Sequence, residues 1–163
     1  MPRHRILVLA AAVIALVPAP LLAAQAQLTA AVAMQIIDGC AAHAKSKSQS
    51  HAVAVYDDGG HPVALLRMDG NSPGITEFAM QKAAAVAAWR FSTAEMEAAA
   101  KETPGFANAP NVVTVPGGVP VFSSEGQFLG AVGVSGEAPV DDAACAEAGI
   151  KAAGLLSSRK RAG

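Results

Sequence analysis

The sequence predicts an α+β domain, a single antiparallel sheet covered by helices, and three observations carry that prediction. Strand-like runs come in groups joined by tight turn signals, Asp57-Asp58-Gly59-Gly60 and Ser124-Glu125-Gly126-Gln127, which is the pattern of hairpins. Helical segments flank those groups and do not alternate with single strands, so no βαβ unit and no Rossmann architecture arises. Of the 163 residues, 52% are hydrophobic and 15% charged, enough apolar material for one packed domain and too little charge for a disordered chain.

The first 26 residues stand apart from the domain. Arg3, His4 and Arg5 form a basic start, residues 6–17 are an unbroken apolar run, Pro18 and Pro20 follow, and Ala24 and Ala26 flank Gln25. This is the three-part pattern of a secretory signal, with the cut after Ala26. The apolar run is shorter than the ~20 residues that cross a bilayer, which speaks against a retained anchor. Removing Arg3 and Arg5 takes twelve basic residues to ten against thirteen acidic, a formal charge of −3 on the mature chain. A periplasmic or secreted single domain over 27–163 is expected, without stable membrane insertion once the leader is cut. The slightly acidic balance excludes nucleic-acid binding through a basic surface.

In the mature chain, Thr29 is placed to cap a first helix whose Val32, Ile36, Ile37 and Cys40 build one apolar stripe. The polar run 45–50 ends it. Residues 51–56 and 61–68 read as two strands of a hairpin, and residues 71–74 as a loop. An Ala-rich helix is predicted over 75–90, and Ser92 with Glu95 forms a capping box for a short helix to about Lys101. Pro104, Gly105 and Pro110 mark a loop. Three strands are then predicted, over 112–115, 119–122 and 128–135, with Pro116-Gly117-Gly118 breaking the first two apart. Gly130, Gly133 and Gly136 permit close backbone approach in the last of them. A helix over 141–158 closes the domain, and Arg159-Lys160-Arg161 suits its C-terminal end.

The two cysteines form no CxxC or Cys/His cluster, so no structural metal site is predicted. In an oxidising compartment Cys40 and Cys145, on the first and last helices, either pair or remain two buried thiols. Asp141, Asp142 and Glu147 beside Cys145 would raise a thiol pKa, which argues against a nucleophile.

The hairpin over 51–70, the helix carrying Lys82-Ala83, the stretch Pro116-Gly117-Gly118-Val119-Pro120 and the glycine-rich strand 130–136 occur in this order. Together they resemble the GlcG/HbpS family of extracellular haem-binding and glycolate-operon proteins, which also supplies the C-terminal domain of PduO proteins. The resemblance spans roughly residues 28–155. It implies a profilin-like or roadblock-like fold with a five-stranded antiparallel sheet and assembly into homo-oligomers from dimers to octamers. Some members resemble haem binders or haem-degrading proteins, which makes haem the one cofactor the resemblance offers. Others accompany cobalamin or organic-acid metabolism or resemble small hydrolases of aromatic catabolism. No Glu-x-x-Glu pair of the kind proposed as a surface iron site in some relatives is present: Glu95, Glu97 and Glu102 are wrongly spaced.

Three sites can be drawn from the residues. The first gathers Arg67, Asp69 and Lys82 with the Gly117-Gly118 backbone around an anionic small molecule or the propionates of haem. Arg67 and Asp69 are two apart at a strand end and so share a face, and consecutive glycine N–H groups suit a carboxylate. The alternative is a surface pair beside a simple chain turn. The second site is an axial donor to haem iron from His43, His51 or His61, with Met68 read as a core residue. The low aromatic content, 4%, counts against a dedicated haem pocket. The third is catalysis, for which the sequence offers no Gly-x-Ser-x-Gly elbow around Ser123, Ser124 or Ser135. Asp57-Asp58 and Asp141-Asp142 are explained as turn chemistry and helix-start charge. The function expected is binding of haem or another anionic small molecule. A small enzyme of organic-acid or aromatic catabolism using the Arg67/Lys82 pocket, or an accessory module of an extracellular sensor, are the alternatives.

Overall fold

The computed structural model describes residues 27–159; the leader expected over 1–26 lies outside the described residues, as do Lys160 and Arg161. The elements are α1 (Ala30–Lys47), β1 (Ala52–Asp57), β2 (Pro62–Arg67), α2 (Pro73–Trp89), α3 (Thr93–Glu102), a 3-10 turn (Phe106–Asn108), β3 (Gly118–Phe122), β4 (Phe128–Ser135) and α4 (Pro139–Ala152). Thr29 caps α1, its Oγ1 accepting from the Val32 amide, and the capping box of Ser92 and Glu95 opens α3 as its spacing requires.

The strands form one antiparallel sheet in the order β2-β1-β4-β3. Four strands are present among the described residues, where five were expected. The difference is the segment 112–115, which is irregular. Asn111 takes a left-handed φ of 58°, and Val112 and Val113 turn toward α2, where they line a hollow with Ala84 and Ala85. The β-branched run satisfies its apolar character against a helix instead of a strand.

Pairing places Val53 opposite Val134 and Val55 opposite Val132. These side chains share one face and pack with Ile36, Ile37, Cys40 and Ile150 of α1 and α4. The other face is built from small residues: Ala52 and Ala54 meet Ala79 and Ala83 of α2. A Cβ added at Gly133 would lie 2.0 Å from the Ala79 carbonyl oxygen, so α2 rests directly on the β4 backbone. The fold is therefore a sheet between helical layers, with Cys40 and Cys145 joined by a disulfide where α1 meets α4 (Cα–Cα 4.7 Å).

The closing helix ends at Ala152 and not near Ser158. Gly154 adopts a φ of 72° and turns the chain, so that Leu156 exchanges two backbone hydrogen bonds with Phe122, of 2.8 and 3.0 Å. The segment after α4 thus returns along β3. Among the described residues, no helix is long and apolar enough to cross a membrane.

Candidate functional site

Lys82 lies on the buried stripe of α2 with Ala79, Ala83 and Val86, and its side chain is 1% exposed. The Nζ donates to the Val134 carbonyl (2.9 Å) and to Asp142 Oδ2 (3.0 Å), and it stands 4.7 Å from the centre of the Phe78 ring. Burial holds the Lys82 ammonium pKa below its ordinary 10.5, opposed by the hydrogen bond to Asp142 and by that carboxylate's charge. Asp142 is held in the first turn of α4. Its Oδ1 accepts from the Glu137 amide (3.1 Å) and lies 3.1 Å from Nδ1 of His51, an imidazole with no exposed surface. Gly117, at φ 125°, passes so close that a Cβ there would stand 2.7 Å from Nζ.

The anion pocket drawn from the sequence is consequently divided among separate places. Lys82 and Gly117 meet, but the ammonium is sealed and matched by Asp142. Gly118 donates its N–H to Thr93 Oγ1 (2.9 Å), and the surface hollow it lines, of ≈ 280 Å³, also presents Glu95 and Glu147, which oppose an anion. Arg67 is exposed and donates to the Asn71 carbonyl. It lines a different, largely apolar hollow of ≈ 340 Å³ with Leu65, Pro73, Thr76 and Glu77. Asp69 follows the end of β2, where its carbonyl accepts from Ser50 Oγ (2.8 Å).

The imidazoles also separate. His51 is committed to Asp142 within the core. His43 is half-buried on α1. His61 follows the β1–β2 turn and is 78% exposed, with Nδ1 3.3 Å from Asp57 Oδ1. The same Asp57 oxygen accepts from the His61 amide (2.8 Å) and the Gly59 amide (3.0 Å). These bonds, the His61 amide first, hold the Asp57 carboxyl below its ordinary 3.8. Among the described residues, no group of three or more His, Cys, Asp or Glu side chains could hold a metal ion by itself.

The largest hollow described involves residues that the sequence reading passed over. It measures ≈ 890 Å³ and is lined by Trp89, Arg90, Phe91, Glu95, Pro120, Phe122 and the returning segment 157–159. The chain has seven aromatic residues, and five gather at this end: Trp89, Phe91 and Phe106 contact one another, and Phe122 meets Phe128. The Trp89-Arg90-Phe91 run was a local signal; the return of Arg159 to β3 was not.

The sequence model of the HbpS-like family of haem-degrading proteins matches residues 28–151. Protein GlcG of Escherichia coli strain K12 is 38% identical over 109 residues, covering 66% of this chain and 81% of GlcG. A double mutant of Streptomyces reticuli HbpS superposes with a TM-score of 0.71 at 27% identity, covering 87% of this chain and 97% of that one. The PduOC:haem complex superposes with a TM-score of 0.75 at 22% identity over 82% of this chain and all of that one, a likeness of fold.

Proposed function

The chain belongs to the HbpS-like family of haem-degrading proteins, and from that premise we propose that it is an exported haem-binding protein with His61 as the iron donor. The observation that carries the assignment to His61 is its pairing with Asp57. Among the described residues it alone combines an imidazole open to solvent with a carboxylate behind the ring. Donation of Nδ1–H to Asp57 leaves the Nε2 lone pair directed outward, and a carboxylate partner raises the basicity of a ligating histidine. Asp57 is kept ionised for this role by its two amide donors.

Haem, when bound, supplies an iron centre and its redox chemistry. The chain supplies the donor and its orientation. His61 lines none of the hollows described above, so the covering surface falls to a second copy of the chain, in keeping with the homo-oligomers that the resemblance implies. Export is supported by the leader pattern over 1–26 and by the Cys40–Cys145 disulfide, which suits an oxidising compartment.

Titration of the mature protein with haemin is expected to sharpen and shift the Soret band. His61→Ala should abolish that change, Asp57→Asn should weaken haemin binding about 10–100-fold, and His43→Ala should leave it intact. An unaltered spectrum in His61→Ala overturns the assignment. For export, the N-terminus of protein recovered outside the cytoplasm is expected at Gln27, and a sequence starting earlier refutes the cut.

A further inference from the structure

The ≈ 890 Å³ cleft between the C-terminus of α2, β3 and the returning segment 157–159 is separate from His61 and asks for a ligand of its own. Pro120 and Phe122 of β3, both buried, lie at its floor, with the Arg159 guanidinium over the Phe122 ring. Trp89, 37% exposed, and Phe91 supply a wall. Trp89 is held in place from behind: its Nε1 donates to the Pro110 carbonyl at 3.0 Å, and its ring meets Phe106 edge to face. A hollow of this size with aromatic walls takes flat, drug-sized molecules.

Its charge is more selective. Arg90 sits with its guanidinium carbon 5.2 Å from the Phe128 ring centre, and Arg159 with its own 5.6 Å from that of Phe122. A guanidinium drawn to a ring face by its charge keeps N–H donors that can grip a carboxylate through two bonds. Neither guanidinium forms an ion pair with a carboxylate among the described residues. Among the described residues that line the cleft Glu95 is the one acid; its Oε2 accepts from the Ser92 amide (2.7 Å) and hydroxyl (2.8 Å), and its single negative charge is outnumbered by the two guanidinium groups.

The backbone carries both arginines to the rim of the cleft. Arg90 ends α2 in the left-handed region, its amide bonded to the Val86 carbonyl. Arg159 lies three residues beyond Leu156, which two hydrogen bonds pin to Phe122. Such preorganisation reduces the ordering cost of binding.

We propose that this cleft is a binding site for a planar aromatic carboxylate, its ring lying against Trp89, Phe91 and Phe122 and its carboxylate held between Arg90 and Arg159. The site is distinct from the haem reading and does not depend on it.

The chain has one tryptophan, so fluorescence reports this cleft alone. Titration of the mature protein with 2-naphthoate is expected to quench Trp89 saturably. Arg90→Asn, which tolerates the left-handed backbone, and Arg159→Gln should each weaken binding at least tenfold. The uncharged 2-naphthylmethanol should bind at least tenfold more weakly than the acid. His61→Ala should bind 2-naphthoate as the wild type does, whatever happens to its haemin spectrum. Absence of saturable quenching, equal binding by either arginine variant or by the alcohol, or loss of naphthoate binding in His61→Ala overturns the proposal.

Discussion

Lys82 is tolerable in the core because Asp142 meets its ammonium at 3.0 Å and the Val134 carbonyl takes a second donor. Asp142 in turn faces His51, so one carboxylate ties α2, α4 and the lead into β1. Removing one partner of such a pair strands the other charge in a poorly solvating interior. Asp142→Ala is expected to lower unfolding free energy by about 3–5 kcal/mol, measured by urea denaturation, and adding Lys82→Met should recover part of that loss. Strictly additive losses would show that the two groups are not coupled. Only the helix carrying Lys82 was legible: the sequence reading turned its ammonium toward an anionic ligand, whereas it is buried against Asp142. Its partners were not legible, because Asp142 and His51 lie 60 and 31 positions away and nothing local announces that they converge.

Among the elements, those governed by local chemistry followed the sequence closely. The hairpin turn at Asp57-Asp58-Gly59-Gly60, the Thr29 cap and the Ser92/Glu95 box each depend on residues within a few positions of one another. The segment 112–115 and the end of α4 depended on what lay across the molecule. Val112 and Val113 found α2, and Leu156 took a place beside Phe122. The glycines of β4 were read correctly as sites of close approach, and Gly133 gives that reading a measurable form. Gly133→Ala would drive a methyl into the Ala79 carbonyl and the Ala83 amide, forcing α2 off the sheet. Overpacking of this kind costs about 1–3 kcal/mol or more, and a fall in thermal midpoint is expected. An unchanged midpoint would mean that α2 does not rest on β4 in solution.

For the whole molecule, the family was legible from four stretches in order, three of them glycine-rich, whereas the largest cleft described was not, since its walls come from residues 89–91, 120–122 and 157–159. The disulfide also acts at this scale. It joins α1 to α4 across a sequence separation of 105, and a loop of that length removes entropy from the unfolded chain worth about 4–5 kcal/mol. The Cys40→Ala/Cys145→Ala double variant is therefore expected to unfold at a lower guanidinium concentration than the oxidised protein, and coincident midpoints would show that the bond contributes nothing. The bond embraces the hairpin, α2, α3 and the whole sheet. A protease that nicks the backbone once anywhere within that span liberates no fragment: the severed halves stay tethered as a single covalent body and part only when a thiol reductant is added.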